Sequence, residues 1–348
     1  MPTTHHPAVL TDVSFSWPDG TPALRNISAT FGTGRTGLIG ANGSGKTTLL
    51  KLIAGLLEPT SGTVTVNGQL GYLPQQLTLE HHATVADLLR IRTRLDALRA
   101  IESGSADPRD FETLADDWEV EARADAALAG LGLHPLGMDR LVGTLSGGET
   151  ILTALAGLQL GGDDVVLLDE PTNNLDRDAR RQFHEAISRW QGTLIVVSHD
   201  ATLLNLMDNT AELWEGALSM FGGPYNAYRE HLATEQAAAA QALRTAEQKL
   251  KIEQRQRTEA QTKLARRERY ARNDAANKRK PKIVMNHRAT EAQVSAGTLR
   301  GQLDQKVEAA QSTVDAQAAR VRDETGIRIE LPDPDVHSGR RLAELRDA

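Results

Sequence analysis

The chain has 348 residues, of which 40% are hydrophobic, so it is long enough to bury a core in about two domains. It is acidic, with a formal net charge of −7, and it has no cysteine, which excludes disulfides and thiolate metal sites. No apolar run approaches the roughly 20 residues that cross a bilayer, and the N-terminus shows no signal-peptide pattern. We therefore predict a cytoplasmic location and no transmembrane segment of its own.

The composition changes along the chain and indicates its organisation. Up to about residue 228, short β-rich runs alternate with helical patterns and Gly-rich turns, which is typical of an α/β domain with a largely parallel sheet. Residues 232–276 contain no Pro or Gly and predict one long helix. Pro281 marks a break, a second helical run reaches about residue 323, and "GIRIELPDPD" then turns β-like.

The two helical runs carry apolar seams that predict a long antiparallel helical hairpin. On the second run, seam positions alternate spacings of four and three, and on the first run leucines lie at multiples of seven. About 40 residues of helix would span roughly 60 Å, with residues 277–286 at the tip. The alternative is a solvated helical arm without a partner. The seam residues are Leu303, Val307, Ala310, Val314, Gln317 and Val321 on the second run, and Leu243, Leu250 and Leu264 on the first.

A full match to G-x-x-x-x-G-K-[ST] lies between an apolar strand and a helix. In such a loop, backbone N–H groups surround phosphates, Lys46 reaches the terminal phosphates and the Thr47 hydroxyl ligates Mg²⁺. The helix that follows directs its positive end at the same anion. The predicted nucleotide-binding residues of this loop are Gly40, Ala41, Asn42, Gly43, Ser44, Gly45, Lys46, Thr47 and Thr48.

An acidic segment, "DDVVLLDEPTNNLD", follows the phosphate loop more than 100 residues later. It reads as an apolar strand that ends in Asp169 and Glu170. Asp169 can hold Mg²⁺ and Glu170 can orient an attacking water. Alone, such a strand end is usually structural, but a preceding phosphate loop favours the catalytic interpretation.

Three motifs together, "GANGSGKT", "LSGGE" at 145–149 and "LLDEPTNNLD", resemble the ATP-binding cassette (ABC) family closely. The resemblance implies an ABC-type P-loop NTPase fold, ATP and Mg²⁺ as cofactors, and hydrolysis of ATP to ADP and phosphate. It also implies that Trp17 stacks on adenine, that Gln75 lies near Mg²⁺ and the attacking water, that Asp176 faces a second cassette, and that His199 faces the γ-phosphate. Each could instead be an ordinary strand or turn residue.

In this family the signature of one cassette covers the ATP of another, so Ser146, Gly147, Gly148 and Glu149 are expected to contact nucleotide in trans. The chain has one phosphate loop and one signature, so a complete site needs a second cassette in cis or in trans. Leu152 stands where the family usually has Arg, which leaves the polar contacts of the signature helix in doubt.

The tail resembles one branch of the family. "TNNLD", a switch histidine, "YNAYREH" and a long charged linker are similar to the ABC-F branch, whose chains carry two cassettes joined by a helical linker, without a membrane domain. The expected domains are a cassette at 1–230, a linker hairpin at 231–325 with a basic tip near 277–286, and the start of a truncated second cassette at 326–348.

Positive charge is concentrated at 263–288, which has ten Lys and Arg against two acids. ABC-F resemblance implies that the linker acts on the ribosome, near rRNA and tRNA, although such charge also arises only to keep helices in solution. The expected RNA contacts are Arg266, Arg267, Arg269, Arg272, Lys278, Arg279, Lys280 and Lys282.

Several functions remain open from the sequence. A general translation factor and an antibiotic-resistance protein that protects the ribosome are both consistent with it. An ATPase subunit of a transporter is an alternative, although it would not need a projecting basic hairpin. A DNA-maintenance ABC ATPase is another, although its coiled coil would interrupt the cassette between phosphate loop and signature.

Overall fold

The computed structural model describes residues 8–75, 82–133, 135–173, 175–276 and 282–322, without the side chains of 271–272, 274–276 and 282–292. The chain divides into two compact units at residue 230. Of the predicted tip 277–286, residues 277–281 lie outside the described residues and 282–286 belong to a helix; the predicted second-cassette segment 326–348 also lies outside the described residues. Within the described residues, no helix combines the length and apolar character needed to span a membrane.

Two sheets form the first unit. The larger has six strands in the order β5-β6-β7-β3-β8-β9, all parallel except β9, which confirms the predicted α/β class. The smaller is antiparallel, with the order β2-β1-β4. The strands are β1 Ala8–Ser16, β2 Pro22–Phe31, β3 Gly34–Ile39, β4 Ser61–Val66, β5 Leu70–Leu73, β6 Val165–Asp169, β7 Thr193–Val197, β8 Asn209–Trp214 and β9 Ala217–Phe221.

Helices follow most of the strands of the larger sheet. They are α1 Lys46–Ile53, α2 Val85–Leu88, α3 Arg92–Glu102, α4 Pro108–Leu114, α5 Val120–Gly130, α6 Gly147–Gly161, α7 Arg177–Ser188 and α8 Ala201–Leu204, with a 3-10 turn at Val142–Thr144 before α6. Because the carboxyl ends of parallel strands meet at one edge of a sheet, the segments after β3, β6 and β7 converge there.

The central strands are buried on both faces, which explains their unbroken apolar runs. Val165 and Leu167 of β6 pack with α1 and the smaller sheet, whereas Val166 and Leu168 pack with α2 to α8 on the opposite face. The period of two along a strand places Asp169 on the α1 face. The phosphate loop precedes α1 on that face, so the fold brings Asp169 to the loop.

Helices α9, Tyr225–Ala276, and α10, Lys282–Ala318, form a helical hairpin, and the second unit contains α9 from His231 onwards together with α10. Arg257 Nε and Asp304 Oδ1 lie 2.8 Å apart, and Arg300 Nη2 and Glu268 Oε1 lie 3.1 Å apart. The residue numbers of the partners run in opposite directions, so the helices are antiparallel as predicted. Helix α9 begins at Tyr225, earlier than the predicted 232. It starts directly after Pro224, which has no backbone N–H group to donate a hydrogen bond within a helix interior.

The packing of the hairpin follows the predicted seam. The five seam residues within α10, Val321 just beyond its end and all three leucines of α9 are partly or fully buried, and Ala310 is 5% exposed. Ala239 and Ala246, which the pattern did not predict, are also buried. Alanine contributes little apolar area, so the pairing of these two helices is stabilised weakly per residue.

Candidate functional site

The loop after β3 adopts a conformation that requires glycine at two positions. At Gly40, φ is 153° and a Cβ would meet the backbone oxygen of Leu213 and lie 2.8 Å from Ser44 Oγ. At Gly45, which caps α1, φ is 103° and a Cβ would lie 3.0 Å from Leu24 Cδ2. An L-residue with a side chain is strained in this region, so the two glycines determine the course of the loop.

The Lys46 side chain lies buried within this loop. Its Nζ donates hydrogen bonds to the carbonyl oxygens of Gly40 at 2.9 Å and Ala41 at 3.0 Å. Burial lowers the pKa of Lys46, and the nearby carboxylates of Glu170 and Asp169 oppose that shift. An ammonium has three donors, so this one can still donate to a phosphate oxygen.

Asp169 ends β6 with no solvent exposure, and neither carboxylate oxygen meets hydrogen-bond geometry with any group in the described chain. Burial raises the pKa of Asp169, while the nearby Thr47 hydroxyl and Lys46 ammonium oppose the rise. A buried carboxylate with open acceptor positions beside a hydroxyl is a donor set that fits Mg²⁺, a hard cation that prefers oxygen ligands.

No cluster of three or more His, Asp or Glu residues suited to a metal occurs within the described ranges. A protein-only metal cage is therefore not found there. Mg²⁺ usually keeps waters and binds one or two carboxylates together with substrate phosphates. Asp169, Thr47 and Gln75 can supply the protein ligands of such a site.

Tyr72 is a neighbour of Asp169 that the sequence did not predict. It lies on β5 beside Leu167 of β6, so its side chain shares the face of Asp169. Burial and the Asp169 carboxylate raise the pKa of Tyr72 to about 12. The signal that could have found it is its position in "GYLPQQ", three residues before Gln75.

Glu170 occupies a strained position at the end of β6. Its φ is 49°, an uncommon value for a residue other than glycine, and its N–H donates to Val197 O at 2.9 Å. Glu170 Oε1 lies 3.2 Å from His199 Nε2, whereas Glu170 Oε2 is buried without a hydrogen-bond partner in the described chain. The side chain of Glu170 is 8% exposed and that of His199 is 56% exposed. Glu170 therefore lies at the base and His199 at the rim.

A single cavity of 540 Å³ joins most of the predicted residues. Trp17 is 40% exposed at its edge and packs edge-on against Phe15 with ring centroids 5.1 Å apart. Asn173, which was not predicted, also lines the cavity and follows the acidic strand end in "TNN". The predicted residues that line it are Trp17, Asn42, Gly43, Gly45, Lys46, Thr47, Thr48, Gln75, Asp169, Glu170 and His199.

The signature residues do not line this cavity. Ser146 caps α6, where its Oγ accepts from Glu149 N at 3.2 Å and its N–H donates to Glu149 Oε2 at 2.7 Å. This backbone donor lowers the pKa of Glu149. Asp176 likewise caps α7 by accepting from Ala179 N at 2.8 Å. Asp176, like Ser146, Gly147, Gly148 and Glu149, is therefore a predicted site residue that does not line the cavity of the phosphate loop.

Apolar and close backbone contacts hold the signature helix in this chain. Leu152 is 1% exposed within the core on the α6 side of the sheet. A Cβ on Gly148 would lie 2.7 Å from Ala179 Cβ, so α6 and α7 approach closely at this point. The residue that replaces the family's usual Arg is therefore a core residue rather than a polar tether.

The predicted RNA contacts are described only in part. Arg266, Arg267 and Arg269 are exposed on α9. Arg272 and Lys282 lie in α9 and α10, but their side chains are outside the description. The description also does not include Lys278, Arg279 and Lys280.

Sequence comparison identifies the cassette. Residues 24–173 match the family described as ABC transporter, a range that contains the phosphate loop, the signature and the acidic strand end. Over this range, the chain contains a cassette of the ATP-binding cassette family. Its ABC cassette is therefore an ATPase domain, as the sequence motifs predicted.

Relatives of this ABC chain include ATP-binding and resistance proteins. It is 39% identical over 235 residues to the tylosin resistance ATP-binding protein TlrC of Streptomyces fradiae, covering 60% of this chain and 43% of that protein. It is 34% identical over 226 residues to the probable ATP-binding protein YbiT of Escherichia coli O157:H7, with coverage of 60% and 43%. It is 38% identical over 215 residues to an antibiotic resistance protein of Mycobacteroides abscessus, with coverage of 56% and 39%.

These relatives confirm the predicted ABC-F resemblance, and the chain spans less than half of their length. Solved structures share the fold of the cassette. An ATP-binding subunit of an ABC transporter gives a TM-score of 0.50 at 22% identity, covering 65% of this chain and 93% of that one. The cbiO1 protein of Clostridium perfringens, part of an ABC transporter complex, gives 0.50 at 24%, with coverage of 65% and 92%.

Proposed function

We propose that this ABC-F chain hydrolyses ATP and acts on the ribosome, as a translation factor or as an antibiotic-resistance protein. The observation that carries the proposal is the exposed arginine segment Arg266, Arg267 and Arg269 on a hairpin that directly follows an ATPase cassette. Such a hairpin has no evident use in a transporter subunit. A ribosomal role would locate the protein in the cytoplasm.

The residues that line the cavity support the proposed binding and hydrolysis of ATP. Loop N–H groups and the Lys46 ammonium bind the β- and γ-phosphates, and the face of Trp17 offers a stacking surface for adenine. Thr47, Asp169 and Gln75 would hold Mg²⁺, and the bound ion would supply positive charge beside the phosphates. Glu170 orients and deprotonates the attacking water. His199, at the rim, donates a hydrogen bond to the γ-phosphate.

The cavity lacks the signature, and we propose that a second cassette supplies it. Ser146, Gly147 and Gly148 begin α6, so their backbone donors and the helix N-terminus suit a phosphate on another molecule or domain. Asp176 would then lie at the same interface. The second cassette is either another copy of this chain or a cassette in cis.

The hairpin would bind RNA through its charge. Contacts to phosphate release counterions, so affinity falls with salt in proportion to the number of contacts. Two of the relatives are named as resistance proteins, which favours ribosome protection among the ribosomal roles. The residues Arg272, Lys278, Arg279, Lys280 and Lys282 would extend the same basic surface.

Ribosome co-sedimentation across 50–200 mM salt tests the proposal, with a Glu170→Gln chain that retains ATP. Changing Arg266, Arg267 and Arg269 to Glu should weaken ribosome binding and make it less dependent on salt. Each arginine that pairs with a phosphate contributes about a threefold loss of affinity between 50 and 200 mM salt, and the variant should lack that contribution. The matched control changes the exposed Arg109, Arg181 and Arg189 to Glu, which alters the net charge equally. Overlapping curves for the two triple variants would show that the stem charge is only a solvated surface.

A growth assay separates the two ribosomal roles. Expression in a susceptible host should raise the inhibitory concentration of tylosin if the chain protects ribosomes, and Glu170→Gln should abolish the effect. Ribosome binding without any change in susceptibility would favour a translation factor. Absence of ribosome binding under all conditions would leave the transporter subunit as the better candidate.

A further inference from the structure

The segment that carries His199 is held by one face of α7. His184 Nε2 lies 3.1 Å from Asp200 Oδ2, and both side chains are 15% exposed. Arg180 Nε lies 3.9 Å from the same oxygen. Arg180 and His184 are four residues apart, so they project from the same side of the helix. Neither residue lines the nucleotide cavity.

Both chain neighbours of His199 take part in this network. The Asp200 N–H donates to Ser198 Oγ at 3.0 Å, and Ser198 Oγ lies 3.3 Å from Thr172 Oγ1, with both hydroxyl-bearing residues buried. Thr172 is two residues after Glu170. The network therefore connects the segment after Glu170 to the segment around His199, behind the pair that these two side chains form.

The two oxygens of Asp200 have separate partners. Asp200 Oδ1 caps α8 by accepting from Thr202 N at 2.8 Å and Leu203 N at 3.3 Å. Asp200 Oδ2 is the one that contacts His184. A change at His184 therefore leaves the helix cap in place and removes the shorter of the two contacts between Asp200 and α7, while the Arg180 contact at 3.9 Å remains.

We propose that His184, supported by Arg180, is a positioning residue that fixes His199 against Glu170. Asp176, which the proposed function assigns to the interface with a second cassette, caps the N-terminus of α7, and His184 lies about 12 Å from it along the helix. A shift of α7 at that interface would move Asp200 and thus His199. The inference rests on the proposed ATP hydrolysis for its functional consequence, but not for its structural test.

The structural test is NMR of the His199 imidazole in the full chain, with signals assigned from a His199→Gln variant. In His184→Ala the ring signals should shift towards those of a free histidine, as the contact with Glu170 loosens. In His184→Gln they should stay near the wild-type positions, because the Gln Nε2 can donate to the same oxygen. The matched control is Arg181→Ala, an exposed neighbour on α7. Unchanged His199 signals in His184→Ala would overturn the proposal.

The functional test measures hydrolysis at a chain concentration at which the wild type is active. His184→Ala should lower kcat by roughly tenfold or more without a change in KM or nucleotide affinity, since misplaced catalytic groups act on the chemical step. Rescue by His184→Gln supports positioning, and a rise in KM alone contradicts it. If the wild type hydrolyses no ATP, the proposed function fails while the NMR signals still decide this inference.

Discussion

Charged side chains are buried together at the carboxyl ends of β3 and β6. Lys46, Asp169 and Glu170 are each less than 10% exposed, and neither carboxylate oxygen of Asp169 meets hydrogen-bond geometry with a group in the described chain. Buried charges that lack hydrogen-bond or ion-pair partners lower the free energy of unfolding. At a functional site this loss of stability is tolerated because a bound ligand supplies the missing partners. At the residue scale, then, affinity and stability should respond in opposite directions to some substitutions.

Lys46→Ala should weaken ATP binding about 10- to 100-fold, because it removes a charged hydrogen bond worth about 1.5–3 kcal/mol. The measurement is calorimetry or a fluorescent ATP analogue with Mg²⁺. Lys51→Ala, on the same helix but outside the cavity, is the control and should bind normally. Equal affinity in Lys46→Ala and wild type would mean that this loop is not the nucleotide site.

Asp169→Asn should raise the stability of the nucleotide-free chain at pH 7 while it removes Mg²⁺-dependent ATP binding. The pKa of Asp169 is raised above its usual 3.8, so the folded state disfavours the ionised form. Stability is therefore lost as pH rises past the unfolded and then the folded pKa, and the gain in the variant should vanish below about pH 4.

Thermal unfolding across pH measures this gain, with an expected benefit of about 1–3 kcal/mol at pH 7. Asp178→Asn, whose side chain is 77% exposed, is the control and should leave the midpoint unchanged. A variant less stable than wild type at pH 7 would show that Asp169 has stabilising partners in the absence of nucleotide.

At the scale of elements, helix α6 has a packed apolar residue, Leu152, at the position where the family usually has Arg. Leu152 is in the core, and Gly157 approaches the backbone of Leu88 so closely that a Cβ would collide with the Leu88 oxygen. The N-terminal turn of α6 is fixed by its capping box and by Gly148 against α7. The orientation of the signature therefore depends on the capping box together with close packing within the cassette.

Leu152→Arg, which restores the usual family residue, should destabilise the cassette by about 3–5 kcal/mol, because it buries a guanidinium without a partner. Chemical denaturation monitored by circular dichroism measures the loss. Gln159→Arg, at an exposed position of the same helix, should cost little. Wild-type stability of Leu152→Arg would imply that a polar environment for Arg exists beside α6.

At the scale of the whole molecule, the signature residues do not line the cavity that contains the phosphate loop. A shared site predicts that hydrolysis per chain rises with chain concentration. It also predicts complementation between Lys46→Ala and Gly147→Asp, since one mixed pair contains one intact loop facing one intact signature. Random pairing would restore about a quarter of wild-type sites.

The complementation is measured as phosphate release from each variant alone and from an equal mixture. Each variant alone should be inactive. A mixture as inactive as its components would argue against a site shared between two copies of this chain, and would favour a second cassette of different sequence.

The amino-acid sequence alone determined the local chemistry of this protein. The run from Gly40 to Thr47 and the strand end at Asp169 and Glu170 are recognisable because their spacing along the chain sets their geometry. The helical seam around Val307 and Val314 was predictable for the same reason, since the period of a helix sets which side chains share a face.

Only the tertiary structure decided which distant residues meet. Tyr72 reaches the face of Asp169 because β5 pairs with β6, and His184 reaches Asp200 because α7 packs behind β7; neither contact follows a spacing in the sequence. The burial of Leu152 in the core could likewise not be predicted from the sequence, because it depends on neighbours that are remote along the chain. The periodicity of a sequence shows which side chains share one face of a helix or strand. Which faces pack against each other is decided only when the core folds.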